Sequence, residues 1–275
     1  MIKIPITMCH GVERKPSEQF PLTSEHFDKL MKVVSDLGFQ SINYDHLAAW
    51  REGTGKLPQR PIMIDFDHPV VSMRNEVFDI LNRYGFKGNL FVNTGMMDTM
   101  YSAPLPPKDH REIMTWEELG ELVEAGWHIG GHTVTHPNLS KLSLEDPTGE
   151  KIRKELVDNN AALQRHLGIT PRDFAFTGSS WSSTAEKEVA KLYRFGRLWI
   201  VGPEYLADGK TIRYGELVGV PGADEADGGP PAAARYITKK TPAHRLPSME
   251  IQALIHGEKA FRNYLEGALN WKKHL

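Results

Sequence analysis

Short apolar runs alternate along this chain with segments whose apolar residues recur at a helical spacing, and this alternation restricts the fold more than any other feature. Strand-like runs fall at 4–8, 40–44, 61–66, 89–93, 127–131, 173–176, 198–201 and 250–256, with helices at 24–37, 75–84, 116–125, 151–167, 185–195 and 259–271. Gly38, Gly85, Gly126, Gly168 and Gly196 stand where helices should stop, and Thr115-Trp116-Glu117-Glu118 has the form of a capping box. Such alternation implies parallel strands joined by helical crossovers, in an open doubly wound sheet or in a barrel. In both, ligands gather at the carboxyl ends of the strands, and His10, Asp67, His68, His132, His136 and His256 all fall at such ends.

With 275 residues, 40% of them hydrophobic, the chain can fill one sizeable core, so a single domain over 1–275 is expected. Residues 203–247, rich in Gly and Pro, break the rhythm and read as a long excursion serving substrate or assembly. A formal net charge of -2 gives no electrostatic case for nucleic acid or an anionic membrane as partner. No apolar run approaches the roughly 20 residues of a membrane span. Cys9 is the only cysteine, which excludes an intrachain disulfide. The amino terminus shows no signal-type segment, and a cytoplasmic location is the expectation. Oligomeric state is not inferable from these features.

His132-Thr133-Val134-Thr135-His136 follows the apolar run at 127–131 and is the strongest chemical signal. Two imidazoles four positions apart reach one ion if the backbone makes a helical turn there. Neutral imidazole suits zinc and its neighbours in the transition series, and a third ligand must come from elsewhere. Asp65-Phe66-Asp67-His68 ends another apolar run, so two strand ends are expected to converge on one ion.

These residues resemble the polysaccharide deacetylases of carbohydrate esterase family 4, the NodB-homology fold, and among them the poly-N-acetylglucosamine deacetylase type. Met8-Cys9-His10 stands for the family's Met-Tyr-His, Thr23-Ser24-Glu25-His26-Phe27 for its helix start, and Asp65-Phe66-Asp67-His68-Pro69 for Thr-Phe-Asp-Asp-Gly. His132 to His136 matches His-Ser/Thr-x-x-His with the following Pro137-Asn138-Leu139, while Arg245-Leu246-Pro247 and Leu254-Ile255-His256 resemble the closing motifs. The resemblance selects a distorted (β/α)7-type barrel over an open sheet. It implies Asp67 as general base, His132 and His136 as metal ligands and His256 as general acid. A divalent ion, zinc in the first place and cobalt or another transition metal otherwise, would polarise the acyl carbonyl while the base and acid move protons.

Two positions depart from the family. His68 replaces its second Asp, a metal ligand, so His68 is the expected third ligand and Asp65, which shares a strand face with Asp67, is the alternative. The third family motif, whose arginine orients the base, should fall at Phe176-Thr177-Gly178-Ser179, where no Arg or Tyr stands. His10 is a candidate to support a ligand, Trp181 and Trp199 to form a wall for a sugar face, and Arg245 to stabilise a carboxylate. Each also has a purely structural reading. The expected activity is metal-dependent hydrolysis of a non-peptide C–N bond in an N-acetylated sugar. Two alternatives stay open: a metal-free or altered site acting on a small cyclic amide or ureide, and a carbohydrate-binding relative without chemistry.

Overall fold

The computed structural model of the protein describes residues 2–13, 22–97 and 113–269. Its strands are β1 (Ile4–Cys9), β2 (Gln40–Ser41), β3 (Pro61–Asp67), β4 (Asn89–Val92), β5 (His128–Gly131), β6 (Asp173–Ala175), β7 (Ser180–Trp181), β8 (Phe195–Arg197), β9 (Glu204–Ala207), β10 (Lys210–Arg213), β11 (Tyr236–Ile237) and β12 (Met249–Glu250). The α-helices are α1 (Ser24–Asp36), α2 (Tyr44–Glu52), α3 (Phe78–Arg83), α4 (Trp116–Glu124), α5 (Leu139–Glu145), α6 (Glu150–Leu167), α7 (Ser183–Leu192), α8 (Tyr214–Leu217) and α9 (Glu258–Leu269).

The main sheet runs β11-β1-β3-β4-β5-β6-β8, with every pair from β1 to β8 parallel. Its curl is closed by the stretch leading into β12, which pairs with β1 on one side and bonds on the other to the chain at and beyond β8 through Leu198 N to Leu246 O, 2.8 Å, and Ile200 N to Ser248 O, 3.0 Å. The architecture is the expected α/β distorted barrel. A buried parallel strand is apolar on both faces, and β1 and β3 are buried along their whole length. In β3, Ile62, Ile64 and Phe66 join the layer between sheet and helices, whereas Met63 joins a separate interior cluster with Ile4, Ile6, Phe91 and Leu246. By the same alternation Asp65 and Asp67 point into the barrel.

Several boundaries differ from the sequence reading. Residues 40–44 hold a two-residue strand followed by α2, because Asn43 caps that helix by accepting from His46 N. Phe195, read as the end of a helix, opens β8, because α7 stops at Leu192 and Tyr193 is already extended. The stretch 250–256 is not a strand, since β12 ends at Glu250 and Leu254 N then folds back to the Glu250 carbonyl. The excursion carries structure of its own: β9 and β10 form an antiparallel hairpin that extends β7. Its turn is Asp208-Gly209, both at positive φ, which is the turn chemistry that a two-residue hairpin needs. The helix expected at 259–271 is α9 up to Leu269, and 270–271 lie outside the described residues.

Candidate metal centre and active site

His68, His132 and His136 each offer a ring nitrogen within 4.8 Å of the others. The route is not the helical turn expected over 132–136: those residues form no helix, and Thr133 and His136 are left-handed, with φ of 67° and 57°. His68 is also left-handed, at φ 68°, so its ring swings back to the face that Asp67 occupies instead of pointing away as on an extended strand. Three non-glycine residues in this region each cost about 1–3 kcal/mol, and such clustering marks sites whose surroundings over-determine the backbone.

Hydrogen bonds fix which ring nitrogens carry the proton. His132 Nδ1 lies 2.8 Å from the Ala175 carbonyl, which can only accept, so the proton is on Nδ1 and Nε2 keeps its lone pair. That Nε2 is buried and has no hydrogen-bond partner among the described residues. His68 Nδ1 is 2.7 Å from Asn93 Oδ1, an acceptor, which puts the proton of that ring on Nδ1 as well. Burial, and next the neighbouring imidazoles, hold His132 well below the usual imidazole range, and burial lowers His136 to about 4. Neutral rings with oriented lone pairs fit a transition-metal ion.

Asp65, the alternative ligand, is engaged elsewhere. Its Oδ2 accepts from the Tyr44 hydroxyl at 2.6 Å and its Oδ1 from Asn89 Nδ2 at 2.9 Å. Asp67 is the carboxylate facing the histidines, with Oδ2 3.9 Å from His132 Nε2. The guanidinium missing from the family's third motif at 176–179 is supplied from another strand, and not by Arg245. Arg197 of β8, fully buried, donates through Nη2 to Asp67 Oδ1 and holds its Nε 3.5 Å from Asp65 Oδ2. The sequence reading missed Arg197 because the motif places that charge at 176–179, whereas β8 neighbours β6 and delivers it from the next strand. A lone Arg in a buried parallel strand was the available signal.

Glu250, also missed, ends β12, opposite the same Met8 that faces Asp65 across β1. It accepts from Trp199 Nε1 and lies 3.9 Å from His10 Nδ1. His10 in turn stacks on His68 with ring centroids 5.2 Å apart and meets Trp199 edge-on at 4.8 Å. His10 and Trp199 therefore adjoin the histidine cluster. His256, by contrast, sits beyond the turn after β12, its ring stacked on His26 of α1 at 4.5 Å. Trp181 and Arg245 are committed to each other and to Glu186: the guanidinium lies 4.6 Å above the indole, and both donate to Glu186 Oε2, at 2.7 and 2.6 Å.

Burial pushes the Glu250 carboxyl up from 4.5 to about 8, and the Asp65 carboxyl up to about 6 despite the pull of Arg197. Between 4.5 and 8 the folded chain keeps a proton on Glu250 that the unfolded chain has released, so this group's contribution to stability falls as pH rises through that window. Glu250→Gln, which keeps an acceptor for Trp199, is expected to flatten the loss of stability of the metal-free protein between pH 5 and 8.5 by up to a few kcal/mol. Denaturant melts at a series of pH values decide this, and an unaltered slope in the variant would refute the assignment.

The fold and site together define an α/β barrel with a histidine-rich centre at the carboxyl ends of its strands. The chain belongs to the polysaccharide deacetylase family, whose sequence profile matches residues 54–194. It is 25% identical over 158 residues to YxkH of Bacillus subtilis (strain 168), named as a candidate polysaccharide deacetylase; the match covers 57% of this chain and 52% of that protein, so the chain spans about half of that relative's length. Among solved structures, the Streptococcus pyogenes deacetylase PplD in complex with acetate superposes with a TM-score of 0.70 at 17% identity, covering 96% of this chain and 98% of that one. IcaB from Ammonifex degensii gives 0.69 at 14% identity, covering 98% and 97%. At such identities these two structures establish the fold. No helix among the described residues is long and apolar enough to cross a membrane.

Proposed function

We propose that this protein hydrolyses the N-acyl group, most simply acetyl, of an amino sugar in a carbohydrate chain, with a divalent metal held by His68, His132 and His136. The observation that carries the reading is the buried Nε2 of His132, without a hydrogen bond among the described residues, facing two further imidazoles and the salt-bridged Asp67. Membership of the polysaccharide deacetylase family supports the substrate class. Three imidazoles without a thiolate favour zinc, with cobalt as a substitute, and leave the ion one unit more positive than a site with a ligating carboxylate would. When bound, the ion polarises the acyl carbonyl and makes water a better nucleophile.

The remaining work falls to the chain. Asp67 takes the proton of the attacking water, and Arg197 fixes the carboxylate so that one oxygen stays turned toward the histidines. An amine leaves only with a proton, and we assign its delivery to His256. Thr23 at the start of α1 bridges to Glu13 just past β1, which puts His26 and the stacked His256 at the carboxyl end of the barrel. Burial, and then the neighbouring His26, lower the His256 pKa, so the imidazolium is a stronger acid and the ring carries its second proton mainly on the acidic side of neutrality. Trp199, half-buried against His10, is the aromatic surface at this end.

Asp67→Asn is expected to reduce deacetylation of an N-acetylated amino-sugar oligomer by about 10²–10⁴-fold while zinc content stays at the wild-type level. Free amine released per unit time and metal per chain are the two quantities to measure. Metal lost along with activity would make Asp67 a ligand rather than the base.

A further inference from the structure

We infer that α6, which supplies none of the three imidazoles, is the clamp that holds the histidine loop in its metal-receiving shape, with Glu155 and Asn159 as its positioning residues. The geometry stands by itself, and only its consequence for metal binding rests on the function proposed above. A β-branched residue at positive φ is a genuine outlier, and Thr133 is one. Such backbone persists only where neighbours over-determine it. Glu155 and Asn159 are four apart on α6 and share one face of the helix. The fully buried Asn159 donates through Nδ2 to the Thr133 carbonyl at 2.6 Å and to the Val92 carbonyl at the end of β4 at 2.9 Å. Glu155 Oε2 accepts from two successive amides, Val134 N at 2.8 Å and Thr135 N at 2.9 Å, while Oε1 accepts from the Thr135 hydroxyl at 2.7 Å.

The two loops that meet under this clamp are the ones that carry the centre. Thr94 N donates to Thr133 O at 3.2 Å and Gly95 N to Val134 O at 3.0 Å. A Cβ at Gly95 would stand 2.4 Å from the Val134 carbonyl oxygen, so only glycine permits that approach. Asn93, just before them, orients His68, and His136 N closes the loop by donating to Thr133 Oγ1 at 3.1 Å. Every backbone amide from Val134 to His136 is thus bonded, and two of the three end on one carboxylate of α6. A shift of the loop by a fraction of an ångström would separate His132 from His136, because both positions hang on the left-handed turn between them.

The test uses Asn159→Ala and the milder Glu155→Gln, whose side chain is only partly buried and whose replacement keeps one acceptor. In the metal-free proteins, amide exchange at Val134 and Thr135 is expected to accelerate at least tenfold while the β4 amides keep their protection. Zinc affinity, measured by competition with a chromophoric chelator, is expected to fall about 10–100-fold in both variants. Unchanged exchange at Val134 and Thr135 overturns the clamp. Faster exchange with wild-type zinc affinity overturns its role in setting the centre. If the wild-type protein takes up no zinc while exchange still accelerates in the variants, the metal reading falls and the clamp stands.

Discussion

Replacing His132 with alanine is expected to empty the metal centre and to lower deacetylation by at least about 10²–10³-fold, the scale on which removing one group that stabilises developing charge acts. His132 is the proposed ligand to remove because its buried Nε2 has no hydrogen bond among the described residues, and because its Nδ1 bond to Ala175 anchors it to β6. The variant leaves His68 and His136 facing a void, and two imidazoles are too few to hold zinc against dialysis. Elemental analysis after zinc loading and removal of excess should find about one ion per chain in the wild type and none in the variant. Unchanged turnover in a metal-depleted His132→Ala protein would sink the metal-dependent reading and favour a metal-free hydrolysis of another amide.

Arg197→Met is expected to have the largest effect on stability. One guanidinium lies between two buried carboxylates, and its removal leaves Asp65 and Asp67 in the barrel without a compensating charge. Breaking a buried pair from one side costs about 3–5 kcal/mol, a large share of a total of roughly 5–15 kcal/mol, and lowers the melting temperature by on the order of 10 °C. The sign of the pH dependence is also set. A carboxylate stripped of its cation holds its proton more tightly when folded, so the variant should regain part of the deficit as pH falls. Calorimetry or denaturant melts at two pH values measure both effects, and a variant as stable as wild type at neutral pH would show that Arg197 is not what balances these carboxylates.

The alternation of apolar runs with helical spacing was enough to anticipate the parallel sheet, since β1 and β3 are buried along their whole length and helices such as α4, with its cap at Thr115, lie between strands. The resemblance then distinguished barrel from open sheet, which periodicity could not do, because both satisfy the same crossover rule. His68, His132 and His136 were legible for a related reason: His68 and His132 directly follow strand ends, with His136 in the loop beyond, and strand ends converge in any such fold. The route of the loop was not legible. The spacing of His132 and His136 suggested a helical turn, whereas convergence comes from positive φ at Thr133 and His136, held by bonds to residues some 20 positions further along the chain.

What lay beyond reach from residues alone were pairings between distant strands. Asp65 and Asp67 differ in their partners although they share a strand face, with Tyr44 and Asn89 on one side and the histidines on the other. Arg197 meets Asp67 across 130 positions of chain, and Glu250 reaches His10 only because β12 closes the barrel against β1. His256 was expected at a strand end because 250–256 reads as an apolar run, yet the chain turns at Glu250 and sets its ring on His26. The amino-acid sequence by itself thus determined the layered α/β architecture and the residue types of the centre, because burial periodicity and imidazole chemistry are local properties. Tertiary structure alone decided which carboxylate faces the histidines and which cation balances it, because those choices depend on charges brought together by strand order and desolvated as one group.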